Sequence, residues 1–288
     1  MRFSNLYNDF NSYQQLITFY QDNKDESFSD IHLELSDFFS ADLSAVLGSI
    51  LDIFLSNSNT ILFDNLGSRI ELILKKNGFL SYFGYKSEID NYSTTIKYQK
   101  ILPVDGKYFK SYIENELINS NLSSLPKMSK GVKNGIIEAI YEIFVNAQIH
   151  SETKYIYSCG QLFPKKNELV FTLVDRGISI KNCVNKRFSS NLSSIKAIEW
   201  ALRDRNTTKK DITGGIGLAL LKEFIIRNKG IMQIISNDGY YSFNEEGEEY
   251  RLFVGQFPGT IINIKFKTDD VHSYSLKSEE KINLENIF

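Results

Sequence analysis

The stretch from Val132 to His150 constrains the fold most tightly. Ile136, Ile140, Ile143 and Ala147 recur at the three- and four-residue spacing of one helix face. This spacing predicts a long helix with an apolar side to bury, and the residues after it predict a sheet to bury it against. Tyr155 to Cys159 and Glu168 to Asp175 read as strands, and Leu192 to Arg203 reads as a helix after a polar loop. A glycine cluster opens a helix over Ile216 to Asn228, and three closing strands are expected near Ile231 to Ser236, Tyr240 to Phe243 and Thr260 to Lys267. Residues 269–288 are polar and charged and read as a loosely held tail.

The first ninety residues have a different grain. A helix is predicted around Phe10 to Tyr20. Ile31, Leu33 and Leu35 then alternate with polar neighbours, as a half-buried strand does. Leu43, Val46, Leu47, Ile50, Leu51 and Phe54 follow at helical spacing, with Ser40 or Asp42 placed to cap them. Asn59 to Phe63 reads as a strand. Leu66 to Lys76 reads as a helix ended by Asn77-Gly78. The polar stretch Ser87 to Thr95 reads as a linker, Thr95 to Ile101 as a strand and Phe109 to Leu117 as a helix.

Composition narrows the function classes. There are 33 basic and 35 acidic side chains, and this near balance gives no electrostatic case for nucleic acid as the direct ligand. The two cysteines, Cys159 and Cys183, form neither a disulfide framework nor a CxxC pair. MRFSNLYNDF lacks an apolar core of signal-peptide length, and Ala45 to Leu55 is too short to span a bilayer. A soluble cytoplasmic protein without membrane partners is expected.

Four segments carry groups suited to chemistry. Glu142, Asn146 and His150 are spaced four apart on one helix face. An amide oxygen at Asn146 suits Mg²⁺, and a carboxylate one turn earlier suits activation of a water or hydroxyl. Asp175 ends an apolar strand and is followed by Gly177, a pairing that lets an acid accept from a ring amine held close to the backbone. Gly214-Gly215-Ile216-Gly217-Leu218 precedes an apolar helix, where exposed N–H groups can cradle phosphates. It matches neither GxGxxG nor GxxxxGK[ST]. Phe257-Pro258-Gly259-Thr260 leads into a strand, with a hydroxyl at its start. Each segment also has a plain structural account, as a polar helix stripe, a strand exit, a glycine-rich connection and a turn.

Taken in this order, the four segments resemble the GHKL superfamily of gyrase, heat-shock chaperones, histidine kinases and mismatch-repair ATPases. The resemblance covers residues 96–268. It implies ATP and Mg²⁺ as cofactors, with Asn146 as the metal ligand and Glu142 behind it as catalytic base. It implies Asp175, Gly177 and Thr260 at the base, and Gly214, Gly215, Ile216, Gly217 and Leu218 around the phosphates. Glu142-x-x-x-Asn146-Ala147-x-x-His150, with Asn206-Thr207-Thr208-Lys209 before the glycines, is most similar to the anti-sigma-factor serine kinases, which adds His150, Thr207, Thr208 and Lys209 to the nucleotide site. Residues 1–90, with Ala41-Asp42-Leu43-x-Ala45-x-Leu47-Gly48 and Asn77-Gly78-Phe79-Leu80, resemble a STAS-like domain, the usual partner of such kinases.

The expected fold is therefore α/β. An α+β two-layer sandwich of GHKL type, a mixed sheet with helices on one face, occupies residues 96–268. A smaller STAS-like α/β domain precedes it in residues 1–90, and the lid lies over residues 178–215. The expected function is Mg-ATP binding in a protein serine/threonine kinase or slow ATPase that acts as a regulatory switch. The alternative is an ATP-dependent interaction module without chemistry. A regulatory protein partner of STAS or sigma-factor-like type is implied, a homodimer is compatible with the resemblance, and Ser40, Ser44 and Ser68 are the candidate phosphoacceptors.

Overall fold

The computed structural model describes residues 1–119, 125–150, 152–203 and 216–279. The chain opens with β1 (Arg2–Phe3) and α1 (Phe10–Asn23), and the Asp9 side chain caps α1 by accepting from the Ser12 N–H at 2.8 Å. β2 (Asp30–Leu35), α2 (Ser44–Ser56), β3 (Thr60–Leu66) and α3 (Ser68–Lys76) follow. Gly78, at φ +83°, supplies the left-handed residue that ends α3. β1, β2 and β3 form a three-stranded parallel sheet.

The second half contains β4 (Thr95–Ile101), α4 (Gly106–Tyr112), β5 (Lys127–Met128), α5 (Lys130–His150), β6 (Ile156–Phe163), β7 (Glu168–Arg176), α6 (Ile180–Phe188) and α7 (Ser194–Leu202). After these come α8 (Ile216–Arg227), β8 (Ile231–Asn244), β9 (Gly247–Lys267) and β10 (Ser273–Tyr274). The main sheet has five strands in the order β4-β6-β7-β9-β8. Every pairing in it is antiparallel, where the sequence led us to expect a mixed sheet. The three closing strands expected after Asn228 are two. β8 and β9 form one long hairpin, whose register shifts around Asn237 preserve pairing through the bend.

Strand alternation divides the sheet between two cores. Leu169, Phe171 and Leu173 of β7, with Ile264 and Phe266 of β9, face the buried sides of α4, α5 and α8. Val174, Tyr157, Cys159 and Ile261 face the other way, against Tyr13, Leu16 and Ile17 of α1 and Val46, Ile50 and Leu51 of α2. The sheet is thus covered on both faces, and residues 90–96 mark a change of sheet without a break in the core.

Polar groups lock the second face. Asp42 is fully buried and accepts from Asn8 Nδ2 at 3.1 Å, Thr172 Oγ1 at 2.9 Å, Asn263 Nδ2 at 3.0 Å and the Ser40 hydroxyl. Ser40 and Asp42 therefore bind each other and the sheet rather than capping α2. The exposed backbone of β9 beyond the sheet is met by α1. Gln14 accepts from the Val254 N–H at 2.9 Å and donates to its carbonyl at 2.8 Å, while Gln21 donates to Gln256 at 2.7 Å. A strand edge that would otherwise invite pairing is closed in this way by side-chain amides.

The polar segment after residue 268 is held in place as far as Glu279. β10 pairs in parallel with β5, Tyr274 and Leu276 pack on the helix-side core, and Glu279 accepts from the Gly131 N–H at 3.0 Å. No helix among the described residues is long and apolar enough to cross a membrane.

Candidate functional site

The candidate site lies on the helix side of the sheet, at one end. Asp175 pairs with Thr260 across β7 and β9, and Thr260 pairs with Ser236 across β9 and β8. Each continues the helix-facing row of its strand, after Leu173, before Ile262 and after Ile234. Three polar side chains therefore stand side by side where the apolar rows stop.

Asp175 is 6% exposed, and its Oδ1 has no hydrogen-bond partner. Burial pushes its carboxyl up to about 8, and only the backbone N–H of Thr260 opposes the shift. A buried acid left with a bare oxygen is uncommon outside functional sites. Around it the backbone is tightly folded. Gly177 donates its N–H to Pro258 at 3.1 Å, and Gly259 has φ +150°. A Cβ on Gly259 would lie 2.0 Å from the Asp175 carbonyl oxygen. Gly259→Ala is therefore expected to cost about 2–4 kcal/mol, because backbone must yield. Gly247→Ala, at φ +140° but with open space around it, is expected to cost clearly less. Urea unfolding of the two variants measures the difference.

The helix of the first motif covers the same face. Ile143 and Ala147 of α5 are buried in the core that also holds Leu173 and Ile156, the two residues flanking Asp175 on the sheet. Glu142 and Asn146 are half-buried on α5, one turn apart. An amide oxygen such as that of Asn146 suits a magnesium ion that takes its other ligands from water and phosphate, with the Glu142 carboxylate one turn behind it. Among the described residues no group of three or more His, Cys, Asp or Glu gathers into a metal site.

Behind this end of the sheet the N-terminal part takes hold. Arg176 points away from Asp175 and donates from Nη2 to Asp52 of α2 at 3.0 Å. Asp52 also accepts from the Tyr157 hydroxyl at 2.6 Å and from Lys100. Burial would raise the Asp52 carboxyl, but Lys100, Tyr157 and Arg176 outweigh it and hold the group below its ordinary range. The strand end carrying Asp175 and Gly177 is thus clamped by a residue of the first ninety.

Of the residues predicted from sequence, Asp175, Gly177 and Thr260 come together through strand register, and Glu142 and Asn146 sit on the covering helix. Ile216, Gly217 and Leu218 begin α8, and His150 ends α5; their side chains lie outside the described residues. Thr207, Thr208, Lys209, Gly214 and Gly215 also lie outside the described residues. The expected lid begins with α6 and α7, capped by Ser179 and Ser193. Ser236 and Asp52 were not singled out by sequence reasoning, and Gly259 entered it only as part of the turn before Thr260. Ser236 reads as the last residue of a strand, and its place beside Thr260 follows only from the order β9-β8. No protein-family model and no curated protein matches the chain.

Proposed function

We propose that this chain binds Mg-ATP, with the base against Asp175 and Thr260 and the phosphates toward α5 and the start of α8. The protein acts as a nucleotide-operated regulatory switch of GHKL type. The observation carrying this reading is the bare, buried Oδ1 of Asp175 beside a threonine hydroxyl, an acceptor that a ring amine satisfies. Asn146 supplies an amide oxygen to the metal, which screens phosphate charge when bound. In this reading Glu142, one turn away, is the base for transfer to a protein serine or threonine, or for slow hydrolysis.

A second reading, a switch without chemistry, draws on the clamp at Arg176 and the shared core. Nucleotide-dependent movement at the end of β7 has a direct route to α2. The STAS-like reading of residues 1–90 belongs to this proposal, as does a regulatory protein partner. Ser40 and Ser44 are buried in the shared core, which leaves Ser68, exposed at the first turn of α3, as the accessible candidate acceptor in this chain.

The test is thermal. Mg-ATP at about a hundred times its dissociation constant is expected to stabilise the protein by about 2.7 kcal/mol. For a chain of this size that is a rise in Tm of roughly 5–10 °C. Asn146→Ala is expected to abolish the magnesium dependence of the shift. Absence of a shift at saturating Mg-ATP overturns the proposal. Labelled γ-phosphate then separates the outputs, as labelled protein for a kinase, free phosphate for an ATPase, and neither for the switch.

A further inference from the structure

We infer that Ser236 sets the direction of the Thr260 hydroxyl, and through it the preference of the site for an amino-substituted purine over an oxo-substituted one. The inference rests on the base-binding role proposed above for Asp175 and Thr260.

It follows from counting protons. Ser236 is fully buried, and its Oγ has three polar neighbours. These are the Ile180 N–H at 2.9 Å, the Gly259 carbonyl at 3.2 Å and the Thr260 hydroxyl at 3.0 Å. A serine hydroxyl has one proton to give and two lone pairs to receive. Ile180 can only donate and Gly259 can only accept. One arrangement satisfies all three contacts. Ser236 gives its proton to Gly259, takes one from Ile180, and takes the Thr260 proton on its remaining lone pair. The Thr260 oxygen is left with lone pairs for a ligand and no proton to offer.

Above about pH 8, where Asp175 has given up its proton, Thr260 and the Asp175 carboxylate form an acceptor-only edge. A ring amine brings donors to that edge. A ring carbonyl in the same place sets acceptor against acceptor, and the site's buried groups stay unpaired. Ser236 does not touch the base in this scheme; it is a positioning residue. It also joins the edge to the first residue of α6 through the Ile180 N–H.

The experiment measures dissociation constants of the full chain at pH 8.5, where Asp175 is mostly ionised, for Mg-ATP and for Mg-ITP, in which a ring carbonyl replaces the amine. The wild type is expected to prefer ATP by at least about ten-fold. Ser236→Ala frees the Thr260 proton to point at the ligand, and the preference is expected to narrow to about two-fold or less, mainly through tighter ITP binding. Ser236→Thr keeps the hydroxyl and is expected to keep the preference. A purely structural role for Ser236 would weaken both nucleotides alike; an equal loss, or no change in either, overturns the inference. If Ser236→Ala does not fold, Thr260→Val must narrow the preference, and an unchanged ratio in that variant also overturns it. A wild type that binds ATP and ITP equally refutes the role of Ser236 while leaving nucleotide binding intact. A wild type that binds neither overturns the proposed function and this inference with it.

Discussion

Replacing Asp42 with alanine is expected to destabilise the whole protein by about 3 kcal/mol or more. The carboxylate is fully buried and gathers donors from Asn8, Ser40, Thr172 and Asn263. Removing it strands those donors without water, at about 1–3 kcal/mol for each one left unpaired. The donors belong to both parts of the chain, since Thr172 and Asn263 face each other on β7 and β9 while Asn8 and Ser40 precede α2. The loss should therefore not be confined to the first ninety residues. Trp200, the one tryptophan, lies on α7, on the far side of the sheet from the N-terminal helices. Urea curves followed by its fluorescence and by far-ultraviolet dichroism are expected to shift together to lower midpoints, because the two parts share a core. Separate transitions would show that the N-terminal part unfolds on its own.

Asp175→Asn is expected to separate stability from function. The carboxyl has an ordinary value of 3.8 and stands at about 8 in the folded protein. Between those values the folded state keeps a proton that the unfolded chain has released, so stability falls as pH rises through this window. The slope approaches about 1.4 kcal/mol per pH unit and flattens above pH 8. Asparagine has no proton to lose. The variant should lack this decline and be more stable than wild type at pH 9. On the proposed function, its amide offers donors where the carboxylate accepts from a ring amine above pH 8, so Mg-ATP binding at that pH should weaken by about a hundred-fold. Thermal melts from pH 5 to 9, with and without nucleotide, measure both effects. Parallel stability curves for the two proteins would show that Asp175 does not carry the pH dependence.

Much of the secondary structure was legible in the sequence because periodicity is a local property. Ile136, Ile140, Ile143 and Ala147 mark the buried side of α5, and all four are buried against the sheet. Asn77-Gly78 ends α3 where its backbone preference places the end. The site was legible in part for the same reason. Asp175 followed by Gly177, and Phe257-Pro258-Gly259-Thr260, are local strand-end signals, and antiparallel register brings them together. The errors arose where a local pattern was cut by a local irregularity. The bend at Asn237 and the polar distal half of β9 interrupted the alternation, so one hairpin read as three strands.

What the sequence determined by itself was most of the elements, their polar and apolar faces, and the residue types gathered at the candidate site. The tertiary structure decided which of those groups are neighbours. Ser236 reaches Thr260 because β8 lies beside β9. Asp52 reaches Arg176 because α2 covers the second face of the sheet. Ser40 and Ser44 are closed off by that same packing. Spacing along a chain sets direction within one helix or strand, whereas contact between residues far apart in sequence depends on strand order and layer packing, which no single segment encodes.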